Sequence, residues 1–463
     1  MPSSFLVVER QSRVPVPAEE AFAWHRRPGA FERLAPPWEH IEVIERSGGI
    51  EDGARVVLRV RSGPLRMRWV AVHRDYVADR QFVDEQVEGP FTYWAHLHRF
   101  DPLGPDASIT TDRVEFAPPF GTVGAASGMW VARPRIERML AYRHRILPAD
   151  LRDHARYRDR PRLKVAMTGA TGLLGSALIP FLTTGGHEVT PIVRGMPKTG
   201  EIGWDPIAGR LEAEQLEGMD AVVHLAGENV GTRWTRARKR RIVDSRVQGT
   251  RLLAETLARL RRPPKVLVSA SAIGVYGDRG DEVVSESSTI PEGDSDFFVE
   301  LGRRWEGATE PARAAGIRVV LPRFGIVLTP AGGALKRMLL PFRIGAGGRL
   351  GSGRQWVSWV AVDDLIGGVH HAIMNESLSG PVNVTAPTPV TSREFATTLG
   401  HTLGRPSLVP APALALKLVF GEMADTALLS SQRVMPVKLA DSGYQFRYPE
   451  LGAALRHVLG REG

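Results

Sequence analysis

Three patterns predict an α/β doubly wound parallel sheet, preceded by an α+β helix-grip domain and followed by a small helical extension. Over residues 1–150, several segments alternate apolar and polar residues between Gly, Pro and Asp, the mark of antiparallel strands with one buried face. From Leu163 the pattern becomes short, nearly continuous apolar runs separated by helical stretches, as parallel strands covered on both faces require. From about residue 400 two helical stretches remain, PAPALALKLVFGEMADTALLSSQRVMPVKL and SGYQFRYPELGAALRHVL. The length of 463 residues, with 43% apolar and 24% charged side chains, supports two or three domains that each bury a core. The expected divisions are 1–150, a polar linker at 151–162, a nucleotide-binding domain at 163–400 and a helical domain at 401–463.

The elements of the first region follow in order. A short strand at 5–13 leads to a helix beginning near Ala18. The alternating segments GARVVLRVRS, LRMRWVAVHRDY, RQFVDEQVEG, FTYWAHLHRF and ASITTDRVEF then supply antiparallel strands. A helix at about 129–146 closes the unit, and LPADLRDHARYRDRPR reads as the connector. Trp69, Phe91, Tyr93, Trp94 and Phe100 on the strands predict a mainly apolar cavity beneath that helix, with an apolar ligand as its partner. His96 and His98 alternate on one strand, but no carboxylate cluster accompanies them in the sequence, so no metal is expected.

Composition excludes several function classes. No cysteine is present, which removes disulfides, thiolate metal sites and a cysteine nucleophile. No run of about 18 apolar residues exists for an integral membrane segment, and MPSSFLVVERQSRVPVP lacks the pattern of a secretory leader, so a cytoplasmic protein is expected. The net charge of +9 comes mainly from arginines spread along the chain. Its densest cluster, Arg238-Lys239-Arg240-Arg241, lies on a helical stretch whose opposite side is apolar (Ile242, Val243, Val247, Leu252 and Leu253). A solvated helix face accounts for it, and no nucleic-acid partner is expected.

The sharpest chemical signal is LKVAMTGATGLLGSALIPFL. An apolar strand ends at Thr168, and Gly169, Gly172 and Gly175 follow before an apolar helix. The first glycine permits the tight turn, the second lets backbone approach a pyrophosphate, and the third lets helix and strand pack closely. Ala170, Thr171, Leu173 and Leu174 complete the loop, which aims free N–H groups and the positive helix end at phosphate. The second strand ends Val193-Arg194-Gly195 where an acidic residue would hold an NAD ribose. Arg194 offers a guanidinium to a 2′-phosphate instead, so NADP(H) is favoured over NAD(H). The third strand ends DAVVHLAGENVG, placing Leu225, Ala226, Gly227 and Glu228 against the cofactor. The fourth ends SASAIGVYGD, with Ser269, Ala270, Ser271 and Tyr276 at the sheet edge where such folds bind ligands.

GATGLLG, HLAG, SASAIGVYG and GSGRQWVSWVAVDDL resemble the extended short-chain dehydrogenases/reductases, a Rossmann-fold group. AGENVGTRW, IVDSRVQGT, GGALKRMLLPF and GSGRQW are similar to the NAD(P)-dependent epimerase-like family related to human short-chain dehydrogenase 39U. GEMADTALLSSQRVMPVKL is similar to the small C-terminal domain of unknown function (DUF1731-like) that accompanies it. HRDYVADRQFVDEQVEGPFTYWAHLHRF resembles the START/polyketide-cyclase (SRPBCC) superfamily, which implies a sheet wrapped around a long helix and an apolar ligand site.

The resemblance implies an NADP-dependent oxidoreductase or epimerase acting on a small-molecule substrate, but the catalytic pattern departs from it. A Tyr-x-x-x-Lys pair should fall in DSDFFVELGRRWEGATE. With Glu306 as the landmark, Phe298 stands at the tyrosine position and Gly302 at the lysine position. An unassisted tyrosine is about 0.1% phenolate at pH 7. Three readings stay open: a reductase or epimerase with its acid/base group relocated to Ser271, Tyr276 or Glu228; a non-catalytic NADP(H)-binding sensor; or a carrier whose N-terminal cavity delivers an apolar compound. Ser271 and Tyr276 are the catalytic candidates. Trp356, Trp359 and Arg354 are substrate-side candidates, and Asp363-Asp364 read as a helix N-cap. The substrate and the oligomeric state are not written in these motifs.

Overall fold

The computed structural model describes residues 5–63, 65–119, 128–292 and 296–461. The chain forms two compact units, one from the described residues up to 161 together with 180–186, the other from 162–179 and 187–461.

The first unit is a seven-stranded antiparallel sheet. Its strands are β1 (Leu6–Val14), β2 (Ile41–Ser47), β3 (Arg55–Ser62), β4 (Leu65–Val77), β5 (Gln81–Glu88), β6 (Tyr93–Pro102) and β7 (Ser108–Ala117). They lie in the order β1-β7-β6-β5-β4-β3-β2. The five alternating segments supply β3 to β7. β2 escaped the sequence reading because IEVIERS is largely solvated and carries little apolar contrast. Two short helices, Ala18–Arg26 and Ala30–Leu34, follow β1, and Gly29 between them holds a left-handed φ of +93°.

The closing helix is longer than the sequence indicated. It runs Arg133–Ala155, straight through Pro148, and so absorbs most of the expected connector and the first residues of the expected linker. The pattern looked polar, but Leu147, Asp150, Leu151 and His154 are all buried. Asp150 takes two hydrogen bonds from Arg33, Nε to Oδ2 and Nη2 to Oδ1, each 2.7 Å. That buried pair anchors the helix beyond the proline, which removes one backbone donor but does not end it. Ile136 and Leu140 pack with Val8, Trp94, Val114 and Phe116, while Ile146, Leu147 and Leu151 pack with Phe22, Trp24 and Phe100.

The second unit is built on a parallel sheet. Its strands lie in the order Arg210–Leu211, Ile202–Asp205, Glu188–Arg194, Lys164–Thr168, Ala221–His224, Val266–Ser269 and Arg318–Phe324; Gly380–Val384 and Ser271–Ala272 both pair with the last. All pairs are parallel except the short hairpin of the first two strands. Val222, Val223, Leu267, Val268 and Val320 are fully buried, which is why these strands read as apolar runs without alternation. The chain leaves Lys164–Thr168 toward one side of the sheet and returns at Ala221–His224 on the other. That reversal opens a crevice at the carboxyl ends of the strands.

The C-terminal part contributes the helices Ala413–Phe420, Val437–Asp441 and Leu451–Leu459. Asp363 and Asp364 do not cap their helix, Val362–Met374, whose N-cap is Ala361. They instead tie it to this tail: Asp363 meets His457 Nε2 at 2.9 Å, and Asp364 accepts the Tyr448 backbone N–H at 2.9 Å and the Tyr444 hydroxyl at 3.2 Å. Burial pushes the Asp364 carboxyl up to about 6. Among the described residues no helix is long and apolar enough to cross a membrane.

Candidate functional site

The glycine loop sits in the crevice, and each glycine has a steric reason. Gly169 has φ +72°, and a Cβ there would stand 2.8 Å from the Leu225 carbonyl carbon and 2.9 Å from the Ala226 nitrogen. A Cβ on Gly175 would overlap the Gly169 carbonyl and stand 2.8 Å from Ala170 Cα. Gly172 donates its N–H to the Gly169 carbonyl at 2.9 Å, which folds the loop back before the helix Gly175–Thr184. The loop is thus drawn tight against the HLAG turn, leaving Ala170, Thr171, Leu173 and Leu174 open or partly open to solvent.

A hydroxyl fixes the two strand ends. Thr168 Oγ accepts from the Leu225 and Ala226 N–H groups, both at 3.2 Å, and donates to His224 Nδ1 at 2.7 Å. That pattern requires a neutral imidazole with its proton on Nε2. Burial first, and then the Arg246 charge, pushes His224 down to about 4. Ser269 is completely buried, and its hydroxyl finds no partner among the described residues. Arg194 is the exposed last residue of the neighbouring strand. Glu228 pairs with Arg238 at 3.2 Å. A cradle drawn tight around its glycines, a helix N-terminus behind it and an exposed guanidinium beside it suit a dinucleotide phosphate.

Farther along the same edge lies a cavity of about 270 Å³. Ala272, Phe298, Gly302, Trp305, Met338 and Trp356 line it, and Arg246 supplies its charge. Arg246 donates Nη1 to the Glu228 carbonyl at 2.9 Å and lies 4.9 Å from the centre of the Trp305 ring, while its Nε is buried without a partner. Desolvation pushes Arg246 down to about 10, so it stays cationic at neutral pH.

The structure places the catalytic candidates Ser271 and Tyr276 outside the lining of this cavity. Alternation along Ser271–Ala272 turns Ala272 to the cavity and Ser271 inward, where it donates to Glu306 Oε1 at 2.6 Å. Arg323 donates to both Glu306 oxygens at 2.8 Å and, through Nη1, to the Tyr276 hydroxyl at 2.8 Å. Tyr276 in turn donates to Asn383 Oδ1 at 2.8 Å and is fully buried, and burial pushes its phenol up. Both hydroxyls are spent on a buried network that braces the strand ends. Phe298 and Gly302 do line the cavity, so the positions read as a lost tyrosine and lysine face it with no polar group. A Cβ on Gly302 would stand 2.7 Å from Val275 Cβ, so the packing has closed around the missing lysine.

Three family models match the chain: polyketide cyclase/dehydrase and lipid transport over residues 14–141, the NAD dependent epimerase/dehydratase family over 165–384, and a domain of unknown function (DUF1731) over 411–458. Epimerase family protein Mb2239 of Mycobacterium bovis is 42% identical over 301 residues, 65% of this chain and 98% of its own length. The chain belongs to the epimerase family. Two solved structures extend the likeness of this family member. The nucleoside-diphosphate sugar epimerase of Corynebacterium glutamicum is 34% identical, with 98% of this chain and 90% of its own covered at a TM-score of 0.80. Human epimerase family protein SDR39U1 (isoform 2), solved with NADPH, is 38% identical over 64% of this chain and 99% of its own, at a TM-score of 0.59.

The first unit holds a second cavity, of about 690 Å³, between the sheet and the long helix. Trp69, Phe91 and Trp94 line it as expected. Tyr93 packs against Phe5 instead, with the rings tilted at 50°, and Phe100 lies in the packed core. Polar groups gather on one wall, where His25, His73, Asp84, His96, His98 and Arg143 appear together. Burial drives His25 down to about 3 and His96 to about 4. Asp84 would be raised by burial, but bonds from His73 and His98 hold it well below the usual carboxylate range. The carboxylates missing from the linear pattern are therefore present, brought by the strands on either side of His96 and His98.

Sequence reasoning missed Arg246 because it was counted with a solvated basic helix. The signal was its spacing: Arg246 falls four residues after buried Ile242 and seven before buried Leu253, on the inward face.

Proposed function

We propose that this protein is an NADP(H)-dependent oxidoreductase or epimerase that works without the tyrosine-lysine relay, together with an N-terminal unit that binds an apolar ligand. The observation that carries this reading is the paired arrangement of a glycine phosphate cradle and an adjoining cavity whose one cation, among the described residues, is Arg246. The NADPH of the human relative and the exposed Arg194 support the phosphorylated dinucleotide. Gly169 to Gly175 would hold the pyrophosphate, Arg194 the 2′-phosphate, and Leu225 to Glu228 with Ser269 and Ala270 the ribose side. The dinucleotide supplies or accepts a hydride when bound.

The chain's own part is positioning and charge. Phe298, Trp305 and Met338 give the cavity an apolar wall, and Arg246 holds an oxygen of the substrate with a fixed positive charge. A preoriented cation polarises a carbonyl without transferring a proton, and the alkoxide left by hydride addition takes its proton from solvent water. The tyrosine-lysine pair, whose general acid help is worth about 10²–10⁴, is missing from positions 298 and 302, so slow turnover is expected. A second reading, a nicotinamide-binding sensor or carrier without turnover, is favoured by one observation: Ala272, Phe298 and Gly302 carry no proton donor. We also propose the division into ligand-binding, nucleotide-binding and C-terminal parts near residues 150–162 and 400.

Calorimetric titration of the full chain with NADPH and NADH tests the cofactor. NADPH is expected to bind at least about tenfold more tightly, a difference of about 1.4 kcal/mol. Equal affinities would overturn the assignment.

A further inference from the structure

The polar wall of the N-terminal cavity is assembled by strand register. Asp84 on β5 stands opposite His96 on β6, and His98 on β6 stands opposite Asp112 on β7. Residues paired across neighbouring strands share a sheet face, so three strands bring two imidazoles and two carboxylates together on one side. One ligand atom from each of Asp84, His96 and His98 lies within 4.8 Å of the other two. We propose that Asp84, His96 and His98 bind a divalent transition-metal ion, zinc or ferrous iron, at the floor of the apolar cavity.

The donor set fits such an ion. Two imidazoles and one carboxylate suit zinc or ferrous iron, while magnesium and calcium prefer all-oxygen sites. Spacing agrees as well. Zinc bonds of about 2.0–2.1 Å place two tetrahedral ligand atoms about 3.3 Å apart, and His98 Nε2 stands 3.1 Å from Asp84 Oδ2.

The surrounding groups already orient these ligands as an outer shell does. Asp112 Oδ1 lies 2.6 Å from His98 Nδ1 and 3.0 Å from His96 Nε2. His96 Nε2 is hydrogen-bonded to Asp112 and His98 Nδ1 faces the same carboxylate, so the opposite nitrogen of each ring is the one left for the ion. Asp112 is itself held, by His144 Nε2 at 3.0 Å and with Arg143 at 3.9 Å. Asp84 receives His73 Nε2 at 2.6 Å on Oδ1, leaving Oδ2 toward His98. A pair of histidines packed for stability alone would not need a shared carboxylate behind both rings and a second, oriented carboxylate in front.

Three protein ligands leave coordination positions open, and all three residues line the cavity. The site would therefore take an oxygen, from a carbonyl, carboxylate or hydroxyl, at the end of an otherwise apolar molecule. This inference does not depend on the reading of the nucleotide-binding unit.

The test uses the full chain, stripped with a chelator and titrated with zinc and, anaerobically, with ferrous iron. One ion per chain is expected for at least one of the two. Asp84→Asn and His98→Gln should each abolish stoichiometric binding. Asp112→Asn, which changes no ligand, should weaken affinity about 10–100-fold. Cobalt(II) gives a readout that needs no variant: intense visible bands of a four- or five-coordinate ion are expected. No stoichiometric binding of either ion, binding undiminished in both ligand variants, or a spectrum no different from aqueous cobalt would each overturn the proposal.

Discussion

Strand alternation decides what Ser271 and Ala272 do. One step of alternation separates a cavity-facing side chain from one committed to Glu306, and SASAIGVYGD does not show which residue faces which way. The glycine loop was legible because its three glycines each answer a steric demand made by nearby backbone. The identity of the cavity cation was not, because it depends on which turn of a basic helix faces inward. Arg194 is the most direct residue-level test of nucleotide choice. Arg194→Asp should weaken NADPH binding about tenfold to a hundredfold, as expected for loss of a charge-assisted bond of about 1.5–3 kcal/mol, and should spare NADH; calorimetry measures both. Gly302→Ala should destabilise the nucleotide-binding unit by about 1–3 kcal/mol in denaturant titrations, because the new methyl meets Val275. For the same reason Phe298→Tyr with Gly302→Lys should not restore a relay.

His224 gives the pH dependence its sign. Its folded value, about 4, lies below the ordinary 6.5, so the unfolded chain binds the extra proton between those values. The stabilisation is complete above about pH 6.5 and is lost as pH falls toward 4. Between pH 7 and 5 the loss is about 2 kcal/mol. His224→Gln keeps an acceptor for Thr168 but cannot titrate, so its unfolding free energy should fall less than that of the wild type over the same interval. Parallel curves for the two proteins would contradict this account of the strand ends.

At the scale of elements, the sequence conveyed strands better than the closing helix. Alternation survives in β3 to β7 because one face meets the core. β2 lies largely in solvent and lost the contrast. The helix Arg133–Ala155 runs past the expected end near 146 into a segment whose polar, arginine-rich pattern reads as a connector. What keeps it helical is tertiary: Asp150, fully buried, finds Arg33 from 117 residues away. Removing one partner of such a pair strands a buried charge at a cost of about 3–5 kcal/mol. Asp150→Ala should therefore lower the stability of the N-terminal unit by about that amount, read by chemical denaturation. It should also shorten the helix, seen as faster amide exchange over residues 147–155. A variant as stable as the wild type would show that the helix needs no anchor.

At the scale of the whole molecule, two units each carry a cavity, and in each the polar residues that define it come from separate elements. In the nucleotide-binding unit the doubly wound sheet was readable from its short apolar runs, whereas the substrate cavity was not, since loops and the C-terminal part complete it. The central claim is that this cavity transfers hydride with Arg246 and no tyrosine-lysine pair. The measurement is NADPH consumption, followed by nicotinamide fluorescence, for wild type and Arg246→Gln across a panel of aldehydes, ketones and nucleotide sugars. The account predicts slow turnover of at least one compound by the wild type and a fall of at least about tenfold in kcat for Arg246→Gln, equivalent to about 1.4 kcal/mol of transition-state stabilisation. Tight NADPH binding with no consumption of any compound, or turnover indifferent to Arg246, would contradict it.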